Sequence, residues 1–323
     1  AAEDDDRGHQ GEEILAEHGP ETGILVLVHG SGEPGAAGEE IGHEQIAVGV
    51  EEVKRIEKIF TTFSDDSVTN EVNRMAGVSP VEVPEEFFWL VFRAQKISAL
   101  TQGLFDLSYG SLDKDFWNFN RAMTQLPHPD EAKKSVRLID YRNIVLDAQT
   151  CTVFLKNKGM RIGFGGIGKG YAADCAKRKM MLAGVENGIV SASGDLNAWG
   201  YQEDGSPWTV GIANPNLKHT FFSTLNITNK SIATSGNYEK FVVIDNQLYS
   251  HTINPRTGYP VKGVKSVTII TTNAELADAM ATPVSIMGVK DVLNFINQIK
   301  GIECVLIDDA DKLYVSNNIK LIK

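Results

Sequence analysis

The residues best suited to chemistry lie between Ser250 and Thr282. The stretch opens with Ser250-His251-Thr252-Ile253-Asn254-Pro255-Arg256-Thr257-Gly258-Tyr259-Pro260 and closes with Ala277-Asp278-Ala279-Met280-Ala281-Thr282. Two prolines and Gly258 keep the first part out of regular structure, so His251 and Arg256 sit on a stiff loop. Ser266 to Ile270 is rich in β-branched residues and reads as a buried strand. Asn273 is placed to cap a helix that starts near Ala274 and carries Glu275 in its first turn. On that helix Asp278 and Thr282 are four residues apart, which puts a carboxylate and a hydroxyl on one face. Hard oxygen donors one turn apart, near a cationic loop, suit a hard cation that holds a phosphate. The same spacing also describes an ordinary polar helix face.

A second chemical signal is the run Gly163-Phe164-Gly165-Gly166-Ile167-Gly168-Lys169-Gly170-Tyr171-Ala172-Ala173-Asp174, which leads into a predicted helix ending near Ala183. Glycines let backbone approach a ligand, and free N–H groups at a helix start favour phosphate. The run is no Walker A loop, because Ser or Thr does not follow its Gly-Lys pair. Gly163 to Gly168 spells G-x-G-x-x-G but follows a predicted β-meander rather than opening a βαβ unit.

These residues must be positioned by a substantial fold. The chain has 323 residues, enough for a full core in one large or two smaller domains. Its net charge of -11 argues against non-specific binding to nucleic acid or anionic lipid. Cys151, Cys175 and Cys304 form no CxxC pair, which excludes a disulfide framework and a thiolate zinc site and leaves them as small buried hydrophobes. No apolar run reaches membrane-spanning length, and the acidic start Ala1 to Asp6 does not read as a signal peptide. Residues 1–45 form an atypical acidic segment, with a loose tail to about residue 22, a strand Gly23 to Val28 and a Gly/Glu-rich loop. The strand ends in His29-Gly30-Ser31-Gly32, as an oxyanion loop would, yet the G-x-S-x-G elbow of a hydrolase is absent.

Downstream, helices are predicted over Ile46 to Phe63, Val68 to Met75, Glu85 to Thr101 and Val289 to Ile299. A meander is predicted over Val136 to Ile139, Ile144 to Leu146 and Cys151 to Leu155. Strands are predicted at Gly188 to Ala192, Trp208 to Ile212, Ser231 to Thr234, Cys304 to Ile307 and Leu313 to Ser316, with a hairpin over Phe241 to Tyr249. Tyr109 and Trp117, near glycines, either stack on a flat ligand or join the core.

Seven pieces taken in order resemble the ApbE family of flavin transferases: Asp66-Ser67 to Asn73, Gly103 to Asp106, Gly165 to Asp174, Ser193-Gly194-Asp195, Thr234 to Tyr238, His251 to Pro260, and Ala277 to Thr282. The match covers roughly residues 45–323. The resemblance implies an α+β fold, a mixed β-sheet core flanked by helices in a T-fold-like arrangement, over residues 46–323. It implies a Mg²⁺-dependent enzyme that takes FAD, joins FMN to a Thr or Ser hydroxyl of an acceptor protein and releases AMP. Some members instead hydrolyse FAD to FMN and AMP, and a flavin-binding protein without chemistry is a third reading. The implied acceptor is a subunit of a membrane redox complex, and the implied location is the periplasm or cell envelope, with the cytoplasm left open.

Residue by residue, the resemblance makes Asp278, Thr282 and the Gly166 carbonyl the metal ligands and puts His251 beside the scissile phosphate, where His251 and Asp278 are the catalytic pair. It places Phe63, Ser67, Asn73, Leu104, Phe105, Asp106, Lys169, Asp174, Gly194, Ser235, Gly236, Arg256 and Thr257 in the nucleotide site. The chain departs from the family at Gly163, which stands for the usual Asp, and at Ser193, which stands for a Gly and crowds its turn. Its first 45 residues also differ from the family's usual N-terminal strand.

Overall fold

The computed structural model describes residues 14–18, 24–29, 36–113, 116–117, 125–215, 217, 220–236, 241–244 and 247–319. The helices are α1 (Ala36–Phe60), α2 (Val68–Arg74), α3 (Glu85–Leu100), α4 (Pro129–Ser135), α5 (Gly168–Leu182), α6 (Ala274–Met287) and α7 (Val289–Ile296). The first strands are β1 (Ile14–His18), β2 (Ile24–His29), β3 (Val81–Glu82), β4 (Ile144–Asp147) and β5 (Thr152–Leu155). They are followed by β6 (Asn187–Ala192), β7 (Asp195–Trp199), β8 (Trp208–Ala213), β9 (Phe221–Ile227) and β10 (Lys230–Gly236). The last are β11 (Phe241–Ile244), β12 (Gln247–Ser250), β13 (Val264–Thr271), β14 (Glu303–Asp308) and β15 (Leu313–Val315).

The architecture is α+β. One eight-stranded sheet runs β1-β2-β6-β7-β10-β13-β14-β15. Expected to be mixed, it is antiparallel at every pairing among the described residues. Consecutive strands such as β6 and β7 run in opposite directions because a tight turn, Ser193-Gly194, joins them. Asp195, Asn197 and Trp199 alternate with Leu196 and Ala198 along β7. The first set faces α5: Lys177 Nζ donates to Asn197 Oδ1 at 3.0 Å and lies over the Trp199 ring. The second set faces the β8–β9 hairpin, where Ala198, Ile232, Ile270 and Val305 join Trp208, Ile212, Leu225 and Ile227 in a separate core.

Two boundaries differ from the sequence reading. The division at residue 45 falls inside α1, and β2 pairs with β6, so strands of the acidic segment extend the main sheet. Residues 14–18, expected in a loose tail, form β1. The first leg of the expected meander, Val136 to Ile139, is no strand. Pro129 at the helix start and His128, whose Nδ1 accepts from Asp130 N at 3.4 Å, set up α4, and the chain then turns. Gly30 to Gly32, Asn237 and Tyr238 lie outside the described residues.

At the β6–β7 turn Ser193 has φ 51° and Gly194 φ 93°. Both lie in the left-handed region that a two-residue hairpin of this twist demands. Ser193 therefore carries a strain of about 1–2 kcal/mol that glycine would not, partly offset by the greater freedom of glycine when unfolded. Ser193→Gly is expected to stabilise the protein by up to about 1 kcal/mol in urea unfolding; a loss of stability would contradict this account of the turn.

Candidate active site

The site is built where α5 meets α6. Gly170 lets them meet: a Cβ there would lie 2.0 Å from the Ala274 carbonyl oxygen and 2.9 Å from Asp278 Cβ. At this distance each helix caps the other. Asp278 Oδ2 accepts from Gly170 N at 3.1 Å in the first turn of α5. Asp174, from α5, accepts from Ala274 N at 3.0 Å and Glu275 N at 2.9 Å in the first turn of α6. A carboxylate at a helix N-terminus is stabilised by the free N–H groups and the dipole there. Asn273 adds the expected cap, its Oδ1 accepting from Leu276 N at 2.8 Å.

Asp278 is buried, with 4% of its surface exposed. Its other oxygen, Oδ1, accepts from Lys169 Nζ at 3.0 Å. The same ammonium stands 2.9 Å from Asp195 Oδ2 and donates to the Gly165 carbonyl at 3.3 Å. Three oxygens from three elements thus surround one cation. The carbonyl that reaches it is that of Gly165, one residue before the expected Gly166. Thr282 is half-buried one helical turn beyond Asp278. Burial first, and then the Asp278 charge beside it, push the Asp195 carboxyl up to about 7, although Lys169 pulls it down. Desolvation opposes the Lys169 charge, but Asp278 and Asp195 together outweigh it and hold the ammonium above its ordinary range.

The segment leading into the glycine loop is clamped as well. Asn73 Nδ2 donates to the Ile162 carbonyl at 3.1 Å, and its Oδ1 accepts from Ile162 N at 2.7 Å. Ser67 caps the helix that carries Asn73, its Oγ accepting from Asn70 N at 3.1 Å. Of these two residues, expected in the nucleotide site, Asn73 braces the segment leading into the glycine loop and Ser67 caps the helix that carries it. Phe164 anchors the loop by packing edge-on against Phe60 and Phe87. Asp174 likewise gives both oxygens to protein donors, with Asn197 Nδ2 as the third.

Phe105 packs near the glycine turn, and the residue after it, Asp106, lines a cleft. The Phe105 ring lies 3.7 Å from where a Cβ on Gly166 would stand. The cleft has a volume of about 480 Å³ and is bounded by Gln102, Gly103, Asp106, Tyr141, Arg142 and Arg256, among others. Arg256 bridges its rim, donating to the Gln102 carbonyl at 2.8 Å. Leu104 and Phe105 are buried. Gly258 seats the Arg256 loop on α4, since a Cβ there would meet the Ala132 carbonyl oxygen at 2.0 Å. Tyr109 and Trp117 belong to the core: the Tyr109 hydroxyl accepts from Ile253 N at 3.0 Å, and Trp117 Nε1 donates to Ser135 Oγ.

His251 is half-buried and follows β12 directly, and Thr257 is exposed on the same loop. Ser235 and Gly236 are half-buried at the end of β10. Gly194 is exposed in the turn before Asp195. Phe63 is 96% exposed, an uncovered ring just beyond α1. Asp195 appears in the sequence only within the Ser193-Gly194-Asp195 motif; its pairing across the fold brings its carboxyl to Lys169. A second group, Glu52, Glu86 and Cys175, brings potential metal-ligating atoms together. Arg55 already fills it, donating to both carboxylates at 2.7–2.9 Å.

The profile of the ApbE family matches residues 29–306. A Klebsiella pneumoniae protein named FAD:protein FMN transferase is 28% identical over 82% of each chain. The crystal structure of the ApbE protein of Thermotoga maritima superposes with a TM-score of 0.81 at 28% identity, covering 95% of this chain and 97% of that one. The apo flavinyl transferase ApbE of Pseudomonas stutzeri shares the fold, with a TM-score of 0.76 at 23% identity over 91% of each chain.

Burial pushes the Asp106 carboxyl up to about 6, against hydrogen bonds from Ser108 and Tyr141 N that favour its charged form. The folded protein then holds a proton that the unfolded chain gives up near pH 4. Asp106 should therefore contribute a fall in stability of roughly 3 kcal/mol as the pH rises from about 4 to 6, its share levelling off above. Asp106→Asn should remove this slope whatever its own stability; urea midpoints at pH 4.5 and 7 that keep the wild-type dependence would contradict it.

Proposed function

The chain belongs to the ApbE family, and from this we propose that it is a Mg²⁺-dependent FAD:protein FMN transferase. It cleaves the pyrophosphate of FAD, attaches FMN to a Thr or Ser hydroxyl of an acceptor protein and releases AMP. The observation that carries this reading is the cation seat formed by Asp278, Asp195 and the Gly165 carbonyl, together with a cleft lined by Asp106 and Arg256. The names of the relatives support it.

The residues present fit a hard divalent ion. Every donor around the seat is oxygen, and an ammonium stands there as a substitute cation. Asp278, Thr282 and a carbonyl of the Gly165-Gly166 turn would hold Mg²⁺, which when bound would neutralise charge on the phosphate oxygens. The protein's own part is positioning and proton transfer. Lys169 and Arg256 supply cations for the diphosphate. The glycine turn leaves room for it, since a Cβ on Gly165 would meet nothing within 4 Å. His251 takes the proton from the acceptor hydroxyl as its oxygen attacks the FMN phosphorus. The bond from that phosphorus to the bridging oxygen breaks, and AMP leaves with the electron pair. Phe63 offers an uncovered ring for the flavin.

By the same family resemblance the acceptor is a subunit of a membrane redox complex and the work is done in the cell envelope. No described helix is long and apolar enough to cross a membrane.

Incubation with FAD and Mg²⁺, with and without a candidate acceptor, should give AMP and an acceptor heavier by one FMN, as read by mass. AMP with free FMN in the absence of acceptor would instead mark a pyrophosphatase, and unchanged FAD would mark a binding protein. Asp278→Ala should abolish transfer; undiminished transfer by that variant would remove Asp278 from the mechanism.

A further inference from the structure

We propose that Lys169 is the built-in occupant of the cation seat, which a divalent ion must displace, and that Asp195 retains the ammonium once Asp278 is given up. The inference rests on the metal reading of the preceding section and adds to it how the seat is kept before the ion arrives.

The seat draws together Asp278 from α6, Asp195 from the start of β7 and the carbonyl of Gly165. The two carboxylate side chains are only 6% and 4% exposed. Two neighbouring buried carboxylates without a cation would be strongly unfavourable, because each loses its hydration and repels the other. Lys169 answers this with a single charge. Its own side chain is 38% exposed, so the stem has room to swing.

The two carboxylates are not equivalent. Asp278 Oδ1 receives a hydrogen bond from the ammonium, and its Oδ2 is fixed by Gly170 N. Asp195 Oδ2 lies 2.9 Å from the ammonium yet makes no hydrogen bond. It is a buried carboxyl oxygen beside the seat with its directional bond unmade. When a divalent ion claims Asp278, this oxygen is where Lys169 keeps a partner. An ammonium has three donors, so one can stay on Asp195 while the others turn toward a bound diphosphate. Metal uptake is then an exchange that also sets Lys169 for the substrate, and Asp195 is a positioning residue acting through Lys169.

The test is calorimetric titration of the full chain with Mg²⁺ alone, together with melting of the metal-free proteins. Lys169→Met should bind Mg²⁺ roughly tenfold more tightly than wild type, because the competitor is gone, and should melt lower without metal. Asp195→Asn should bind roughly tenfold more weakly, because Lys169 then rests on Asp278 alone. In the Lys169→Met background the loss caused by Asp195→Asn should shrink. Lys169→Gln serves the same comparison if the Met variant folds poorly. Lys169 variants that bind Mg²⁺ no more tightly than wild type would overturn the exchange. A full Asp195→Asn loss in the Lys169→Met background would overturn the retaining role and make Asp195 a direct ligand. Wild type that takes up no Mg²⁺ would sink the metal reading itself, a different failure from either of these.

Discussion

The arrangement depends on two helices that end on each other's carboxylates. Asp278 of α6 is held by Gly170 N at the start of α5, and Asp174 of α5 is held by Ala274 N and Glu275 N at the start of α6. Each contact satisfies backbone donors that a helix start leaves open, and each places a negative charge at the positive end of a dipole. Buried charged hydrogen bonds of this kind are worth roughly 1.5–3 kcal/mol each. Their larger effect is geometric. They fix α6 in register with the glycine turn, so that Asp278 faces Lys169 and the Gly165 carbonyl. Arg93 adds a bidentate bond to Glu275 at 2.7 and 2.8 Å, which ties the first turn of α6 to α3.

Around this pair the fold supplies support that is mostly polar and local. Asn73 exchanges two hydrogen bonds with Ile162, as a neighbouring strand would. Gly110 permits the turn after Asp106 to press on that segment, since a Cβ there would meet the Ile162 carbonyl carbon at 2.8 Å. The glycine loop is thus held firmly behind and left open in front. That division suits a site whose backbone must come close to a phosphate without yielding. The cleft is bounded by the short turn after Gly103 on one side and the Arg256 loop on the other, so several chain segments must fold before it is complete.

Much of this could be read in the residues. Asn273, Glu275 and the spacing of Asp278 and Thr282 announced α6, its cap and its polar face, because those signals are local. The β-branched run at Ser266 to Ile270 announced β13 for the same reason. The ordered motifs led to the family. What the chain alone hid was long-range. Asp174 looked like a ligand-binding acid, and the structure commits its oxygens to α6 and Asn197. Asp195 looked like the end of a turn and is one of two charges on Lys169. Val136 to Ile139 alternates like a strand, yet among the described residues it pairs with none, and the helix start at His128-Pro129 decides the local path instead. Periodicity states which faces are apolar; it does not state what stands opposite them.

The central claim is that the seat beside Asp278 belongs to a divalent ion when FAD is bound. Diffraction from crystals grown with FAD and Mn²⁺ in place of Mg²⁺ tests it directly through the anomalous signal of the metal. The account predicts a peak bonded to Asp278 and to a carbonyl of the Gly165-Gly166 turn, with the Lys169 ammonium no longer on Asp278. A peak elsewhere, or Lys169 still paired with Asp278 beside bound FAD, would contradict it.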